Sequence, residues 1–287
     1  MLKIIETEDY MNLYEYQMRF HSPYFLAKNY DVWKQSFLED VDGEGRRLFL
    51  ELWVKVAYDN DEIVGFIQYG KSAIGFDENG DISSEVSYPI IRNLYFNQNR
   101  MDVGKLLLQE ALDTFDSEKR VYAFFHYFGM SCFARHGKLF ERYEHIEELL
   151  KQNGFEIEHE NVYYSCTLNG YEISEAEVVP HGLTEGNQQY IDLMLAGDQV
   201  GGCEVHFVDD KTAYLRWIYI NENITGQGVG TKCMKALKNW LYCKGVTRFD
   251  TDTALSNMVA QGYYEKNKFT RKGITRSYYE KNQKLSK

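Results

Sequence analysis

A nine-residue pattern occurs twice in this chain, and a repeated pattern demands a fold that can be built twice. Ile91 to Asn99 reads IRNLYFNQN and Leu215 to Asn223 reads LRWIYINEN, so one Arg, one Tyr and two Asn coincide in register while Ile and Leu exchange around them. Each copy is a short β-branched and aromatic run that turns polar, as a strand leaving a sheet does. A length of 287 residues is about twice the usual domain size of roughly 150, which leaves room for two complete units.

The segments downstream of the two copies repeat as well. Val103, Leu106, Leu107, Ala111, Leu112 and Phe115 recur at helical spacing after the first, and Val229, Cys233, Ala236, Leu237, Trp240 and Leu241 after the second. An apolar or alternating run comes next (Val121 to Phe128; Thr247 to Thr253), then another helix, then an aromatic strand (Phe155 to Tyr164; Phe269 to Tyr279). Ahead of each copy lies a hairpin. Val54–Asp59 and Glu62–Gly70 turn at Asp59, Asn60 and Asp61, and Gln189–Ala196 and Val200–Val208 turn at Gly197 and Asp198. The order predicts a duplicated α/β unit with a boundary in the punctuated stretch Leu168 to Asn187. The expected domains are therefore 1–167 and 168–287, the first carrying an extra helical region over Asp9 to Glu39.

Composition narrows the function. With 44% hydrophobic residues, 26% charged residues and 3 prolines, the chain is ordered and globular. It holds no apolar stretch of membrane-spanning length, and its start turns acidic before a signal-peptide core could form, so a soluble, cytoplasmic protein with no membrane partner is expected. The five cysteines form no CxxC pair and read as reduced packing residues. A net charge of −11 repels phosphate backbones and disfavours nucleic-acid binding.

One turn carries chemistry. After Asn223 the chain runs Ile224-Thr225-Gly226-Gln227-Gly228-Val229-Gly230-Thr231 into the second-copy helix. Closely spaced glycines let backbone N–H groups converge at a helix start, where unpaired donors and the helix dipole favour an anion such as phosphate. A dinucleotide fingerprint would need glycine at Thr231 or Cys233, and a P-loop would need Gly-Lys-Ser/Thr; neither is met.

The run LRWIYINENITGQGVGTKCMKAL resembles the cofactor-binding motif of the GNAT N-acetyltransferases, with Gly228 and Gly230 at its two small positions. Asn257, Ala260, Tyr264 and Phe269 resemble that family's following motif. The resemblance implies two tandem lobes of an α/β (α+β) fold, each a mixed, mostly antiparallel sheet flanked by helices. It implies acetyl-CoA as cosubstrate and a small-molecule or peptide amine as acceptor. By the same resemblance, Tyr219 and Ile220 pair with the pantetheine arm, Thr225, Gly226, Gln227, Gly228, Val229, Gly230 and Thr231 grip the pyrophosphate, Asn257 and Ala260 contact the cofactor, and Tyr264 is the general acid. Thr225 departs from the family pattern, which has Gln or Arg there. Glu204 is preferred as general base, with His206 on the same strand and Asp250 and Asp252 on another as the other candidates. No metal site is expected.

The first copy has shed these features. Its turn is Arg100-Met101-Asp102-Val103-Gly104, which places a carboxylate where phosphate would sit, and Leu150 and Tyr143 stand where the second copy has Tyr264 and Asn257. The first lobe is thus expected to be degenerate, with the linker Leu168 to Asn187 and the interdomain groove supplying the acceptor site. A non-catalytic coenzyme A-binding protein and an interaction scaffold stay open as other readings. Cys132, His136 and His145 match no closed zinc set, Asp77 to Asp81 reads as a hairpin turn and not a calcium loop, and Tyr122 to Phe128 reads as a buried strand.

Overall fold

The structure, a computed structural model, describes residues 2–20, 22–24, 28–41, 45–115, 120–133, 137–182 and 187–280. His136 and residues 183–186 of the predicted linker lie outside them. The chain forms β1 (Lys3–Glu6), α1 (Tyr10–Gln17), α2 (Tyr30–Leu38), β2 (Phe49–Asp59), β3 (Glu62–Ser72), β4 (Gly75–Phe76), β5 (Ile82–Ser83), β6 (Pro89–Phe96), α3 (Met101–Thr114), β7 (Tyr122–Ala123), β8 (Leu139–Phe140), α4 (Glu144–Gln152) and β9 (Phe155–Thr167). It continues through β10 (Ala176–Pro180), β11 (Gln188–Leu195), β12 (Asp198–Phe207), β13 (Thr212–Ile220), α5 (Val229–Cys243), β14 (Arg248–Ala254), α6 (Met258–Lys266) and β15 (Thr270–Glu280). Within the predicted linker, β10 is a strand antiparallel to β11.

Two compact units result. One comprises Met1–Asp42, Arg46–Glu160 and Thr275–Lys287, and the other Gly43–Gly45 and Asn161–Ile274. In the first, β1, β2, β3 and β6 are antiparallel neighbours, β6 pairs parallel with β7, and β7 pairs antiparallel with β15. In the second, β10, β11, β12 and β13 are antiparallel neighbours, β13 pairs parallel with β14, and β14 pairs antiparallel with β9. The expected α/β duplication is present as mixed, mostly antiparallel strand sets with helices.

The expected division at 167/168 differs from these units, because the closing strands are exchanged. Residues 161–167 of β9 pair with β14, and Val162, Tyr164 and Cys166 enter the core of the second unit. Residues 275–279 of β15 pair with β8 and β7 in the first unit. There Arg276 donates to Glu147 and Glu160 at 2.8 Å, and the Tyr278 hydroxyl donates to Glu147 at 3.0 Å. Strand propensity fixes that such a segment is a strand but not which ladder receives it.

Both hairpins turn through two left-handed residues, Asn60 and Asp61 in the first (φ 50° and 67°), Ala196 and Gly197 in the second (φ 54° and 90°). That geometry matches the right-handed twist of the strands it joins. Asp77 to Asp81 is the hairpin turn expected, with the Asp77 carboxylate accepting from the amides of Asn79 and Asp81 at 2.9 Å. The aromatic run Tyr122 to Phe128 departs from expectation: only Tyr122–Ala123 is strand, Phe124 is left-handed (φ 54°), and His126–Phe128 is a single 3₁₀ turn. Strand alternation would expose every second ring, whereas this turn buries Phe124, Phe125 and Phe128 together.

Burial alone would raise the Glu147 carboxyl above its ordinary 4.5, but hydrogen bonds from Lys151 and Tyr278 and the charge of Arg276 outweigh it and lower the pKa. A carboxyl more acidic in the folded than in the unfolded chain stabilises at neutral pH, and that contribution disappears as pH falls through the folded value, below 4.5. Thermal midpoints of wild type and Glu147→Gln are expected to differ at neutral pH and to converge in acid. A gap that persists unchanged in acid contradicts this role for β15.

Candidate active site

The second unit opens a cleft because a parallel pair stops early. β13 and β14 are in register only from Thr212 with Arg248 to Leu215 with Thr251. β13 continues to Ile220 paired with β12, so its far edge from Arg216 to Ile220 is left without a β14 partner. Opposite β12, Glu204 faces Trp217 while Val205 faces Leu215, which makes Arg216 the extra residue of a β-bulge. A bulge bends the strand and re-aims its groups at the point where the pairing ends.

The glycine turn lies beyond this opening. Gly226 and Gly228 are left-handed (φ 78° and 82°), and a Cβ at either would touch nothing within 4 Å, so the glycines serve backbone conformation there. Gly228 is the N-cap of α5, and no side chain caps that helix. Its first amides therefore remain available to an anion. Gly230 serves close packing: a Cβ would lie 3.1 Å from the Tyr263 ring and 3.4 Å from Ile220, and the Tyr263 hydroxyl donates to the Gly230 carbonyl at 2.8 Å. The Thr225 hydroxyl donates to the Glu222 carbonyl at 2.9 Å, bracing the turn before the glycines. Gln227 and Thr231 occupy the same turn, and Val229 is buried at the head of α5.

Tyr264 packs on Tyr164, Tyr263 and Phe269, with ring centroids 5.6–5.8 Å apart. Burial raises its pKa above 10.0 against the opposing hydrogen bond with Thr251, so the hydroxyl stays protonated at neutral pH. Thr251 stands opposite Leu215, and its own hydroxyl donates to the Leu215 carbonyl at 3.1 Å. Tyr264 thereby reaches the end of the parallel pairing. Asn257 is the N-cap of α6, its side-chain oxygen accepting from the Ala260 amide at 3.1 Å, which leaves its amide group to other partners.

The carboxylate base candidates are committed elsewhere. Glu204 is 2% exposed, ion-paired with Arg216, and accepts the Trp217 indole N–H at 2.8 Å. Both of its oxygens are engaged, unlike those of a carboxylate awaiting a proton. Asp250 accepts from Tyr163 at 2.9 Å and pairs with Arg248, Asp252 accepts from Tyr214 at 2.6 Å and Asn161 at 2.8 Å, and His206 stands opposite Tyr214. Sequence reasoning passed over Arg216. Its signal was the arginine common to both copies, and Arg92 is the bulge residue of β6 in the first unit, between Gln68 opposite Asn93 and Tyr69 opposite Ile91.

The first unit repeats the frame but fills it. Arg92 is buried against Asp40 and donates to the carbonyls of Phe128 and Gly129 at 2.8 and 3.0 Å. Tyr95, the counterpart of Tyr219, is 3% exposed, whereas Tyr219 is 50% exposed. His145 hydrogen-bonds the Phe96 carbonyl at 3.1 Å, on the strand position matching Ile220. At the head of α3, Arg100 pairs with Asp102 and Asp59 at 3.0 Å, and the hydrogen bond from Arg100 leads in lowering the Asp102 pKa. Gly104 packs on Phe96 and Leu149 as Gly230 packs on Ile220 and Tyr263, which sustains the registration of the two copies.

Residues 143–269 match the family model described as Acetyltransferase (GNAT) family. The whole chain superposes on a tandem GNAT protein from the clavulanic acid biosynthesis pathway with a TM-score of 0.62 at 10% identity, covering 98% of this chain and 99% of that one. The family match thus lies over residues 143–269, and the chain as a whole has the fold of a tandem GNAT protein. A second similar structure, the glucosamine N-acetyltransferase region of a fungal multi-domain beta-N-acetylglucosaminidase, has a TM-score of 0.63 at 12% identity, and the chain spans 38% of that protein's length. A third, a GNAT protein from Sphaerobacter thermophilus, has a TM-score of 0.52 at 11% identity over 80% of each chain. No curated protein matches the sequence. Identities this low carry the fold and no acceptor. Among the described residues, no helix is long and apolar enough to cross a membrane and no cluster has the makings of a metal site.

Removing Arg216 would strand the buried Glu204 carboxylate, which costs about 3–5 kcal/mol in comparable buried pairs. Arg216→Met is expected to show that loss in urea unfolding, and Arg216→Met combined with Glu204→Met to regain most of it. Two losses that simply add would show that the pair is not coupled.

Proposed function

We propose that the chain is an acyl-CoA-dependent N-acetyltransferase in which the second unit alone transfers acetyl from acetyl-CoA to a primary amine. The observation that carries this reading is the contrast between two copies of one frame. In the second, the strand edge from Arg216 to Ile220 has no β14 partner, the start of α5 has no side-chain cap, and Tyr264 is buried at the end of the parallel pairing. In the first, His145 holds the strand-edge carbonyl of Phe96, Asp102 is ion-paired with Arg100 at the helix start, and Leu150 stands where the second copy has Tyr264.

On this reading the amides from Gly226 to Gly230 meet the pyrophosphate, helped by Thr225, Gln227 and Thr231. The β13 edge at Tyr219 and Ile220 pairs with the pantetheine arm, and the Asn257 amide and Ala260 flank the cofactor. The amine nitrogen attacks the thioester carbonyl, an N–C bond forms, the C–S bond breaks, and the Tyr264 hydroxyl gives its proton to the leaving thiolate. The amine must reach the carbon neutral, its ammonium proton passing to water, and the N–H proton shed as the amide forms returns to the Tyr264 oxygen. Glu204 acts as a positioning residue that fixes Arg216 at the bulge and Trp217 beside it, a revision of its expected role as base. A one-unit acetyltransferase also explains why the first unit can spend its aromatics on packing.

Thiol release from acetyl-CoA across an amine panel tests the reading. Tyr264→Phe is expected to lower kcat by about 10²-fold or more, the usual scale for removing a general acid, with acetyl-CoA still protecting the protein against heat. Gly228→Asp, which sets a carboxylate and a strained left-handed residue at the turn, is expected to abolish that protection. Undiminished turnover in Tyr264→Phe would remove the tyrosine from the chemistry, and full protection in Gly228→Asp would remove the turn from cofactor binding.

A further inference from the structure

One face of β11, β12 and β13 carries two cross-strand rows of side chains. Tyr190, Glu204 and Trp217 form one, and Asp192, Gly202 and Tyr219 the next. The three aromatic side chains are about half exposed, and with His181 and Gly182 they line an open pocket of about 340 Å³. This is the size of a small-ligand site. The pocket is pre-formed. Buried Glu204 accepts the Trp217 indole N–H at 2.8 Å and also hydrogen-bonds Tyr190, whose pKa its charge raises. Trp217 and Tyr219 stack with centroids 6.0 Å apart. Gly202 makes room for that stack, since a Cβ there would lie 3.0 Å from the Tyr219 ring. Asp192 closes the far side, accepting from His181 and from Gln199 at 2.8 and 2.7 Å.

The fold does not require this opening. In the first unit Phe66 stands opposite Tyr95 as Gly202 stands opposite Tyr219, and Phe66 packs against Tyr16 of α1, Phe37 of α2 and Tyr95. Two helices between β1 and β2 supply that cover. Between β10 and β11 the second unit has only residues 181–187. Among the described residues, the same sheet face is thus covered by helices in one copy and open, aromatic and acidic in the other.

Resting on the acetyltransferase reading above, we propose that this pocket binds the non-reacting ammonium of a diamine acceptor, an aliphatic chain with an amine at each end. Aromatic faces carry negative quadrupole charge and attract a cation, and a carboxylate beside them adds to that attraction. An anionic ligand would meet Asp192 with like charge. A neutral apolar ligand would cover that carboxylate and gain no ion pair in return. Trp217 and Tyr219 belong to the same β13 segment, Arg216 to Ile220, that borders the reaction cleft, so one end of an extended diamine lies among the rings while the other reaches toward the cleft.

The test is binding to the intact chain without acetyl-CoA, by calorimetry and tryptophan fluorescence, using 1,4-diaminobutane, 1,4-butanediol, which has the same length and no ammonium, and succinate. The diamine is expected to bind about tenfold more tightly than the diol, the scale of one cation–aromatic contact reinforced by a carboxylate. Succinate is expected not to bind. Asp192→Asn should erase the preference for the diamine, and Trp217→Leu should weaken it, both with unchanged circular dichroism. Equal affinity for diol and diamine, no saturable diamine binding, or an undiminished preference in Asp192→Asn overturns the proposal. Because acetyl-CoA is absent, such a failure leaves the acetyltransferase reading standing. If acetyl-CoA gives no thermal protection while the diamine preference holds, that reading falls and the pocket remains.

Discussion

Everything specific to the second unit depends on a ladder that ends. Parallel pairing of β13 with β14 stops at Leu215 and Thr251, and the next residue, Arg216, is the bulge. A strand with one edge released presents backbone donors and acceptors that must find another partner, and burying them unpaired costs about 1–3 kcal/mol each. The first unit meets the requirement with its own groups, Phe124 donating to the Ile91 carbonyl at 2.9 Å and His145 bonding the Phe96 carbonyl. The second leaves the edge open beside an uncapped helix. The difference between the two units is therefore a matter of which groups satisfy one strand edge.

Charge divides along the same line. Arg92 and Arg216 occupy the same place in the repeat and both bulge, yet Arg92 is sealed by Asp40 and backbone carbonyls while Arg216 holds Glu204 at the rim of a pocket. A buried ion pair gives little net stability, but removing one partner is expensive, so such a pair fixes geometry. In the first unit the fixed geometry is a plug between α2 and the segment 128–131. In the second it is a wall of aromatic side chains.

Much of this was legible in the residues. The repeat, the hairpins, the order of helices and strands, the glycine turn and the asymmetry between Asp102 and Gly228 are local patterns, and local patterns survive into structure. Tyr143 and Asn257 do stand at matching helix N-caps. The illegible part is non-local. The destinations of β9 and β15 depend on which ladder accepts them. The commitment of Glu204 depends on Arg216 and Trp217 across the strand pair. The left-handed Phe124 lies inside a run whose composition favours a strand, where tertiary packing of three rings overrides propensity. The open face shows in the sequence only as Gly201 and Gly202 inside a strand, and two glycines alone do not say which rings will stack above them.

The central claim is that one unit binds acetyl-CoA and its twin does not. Amide hydrogen exchange of the intact chain with and without acetyl-CoA reads both units at once. Slowed exchange confined to residues 216–231 and the head of α6, with residues 92–104 unchanged, is the result this account predicts. Slowed exchange at Arg100 to Gly104 with none at Gly226 to Gly230 would contradict it.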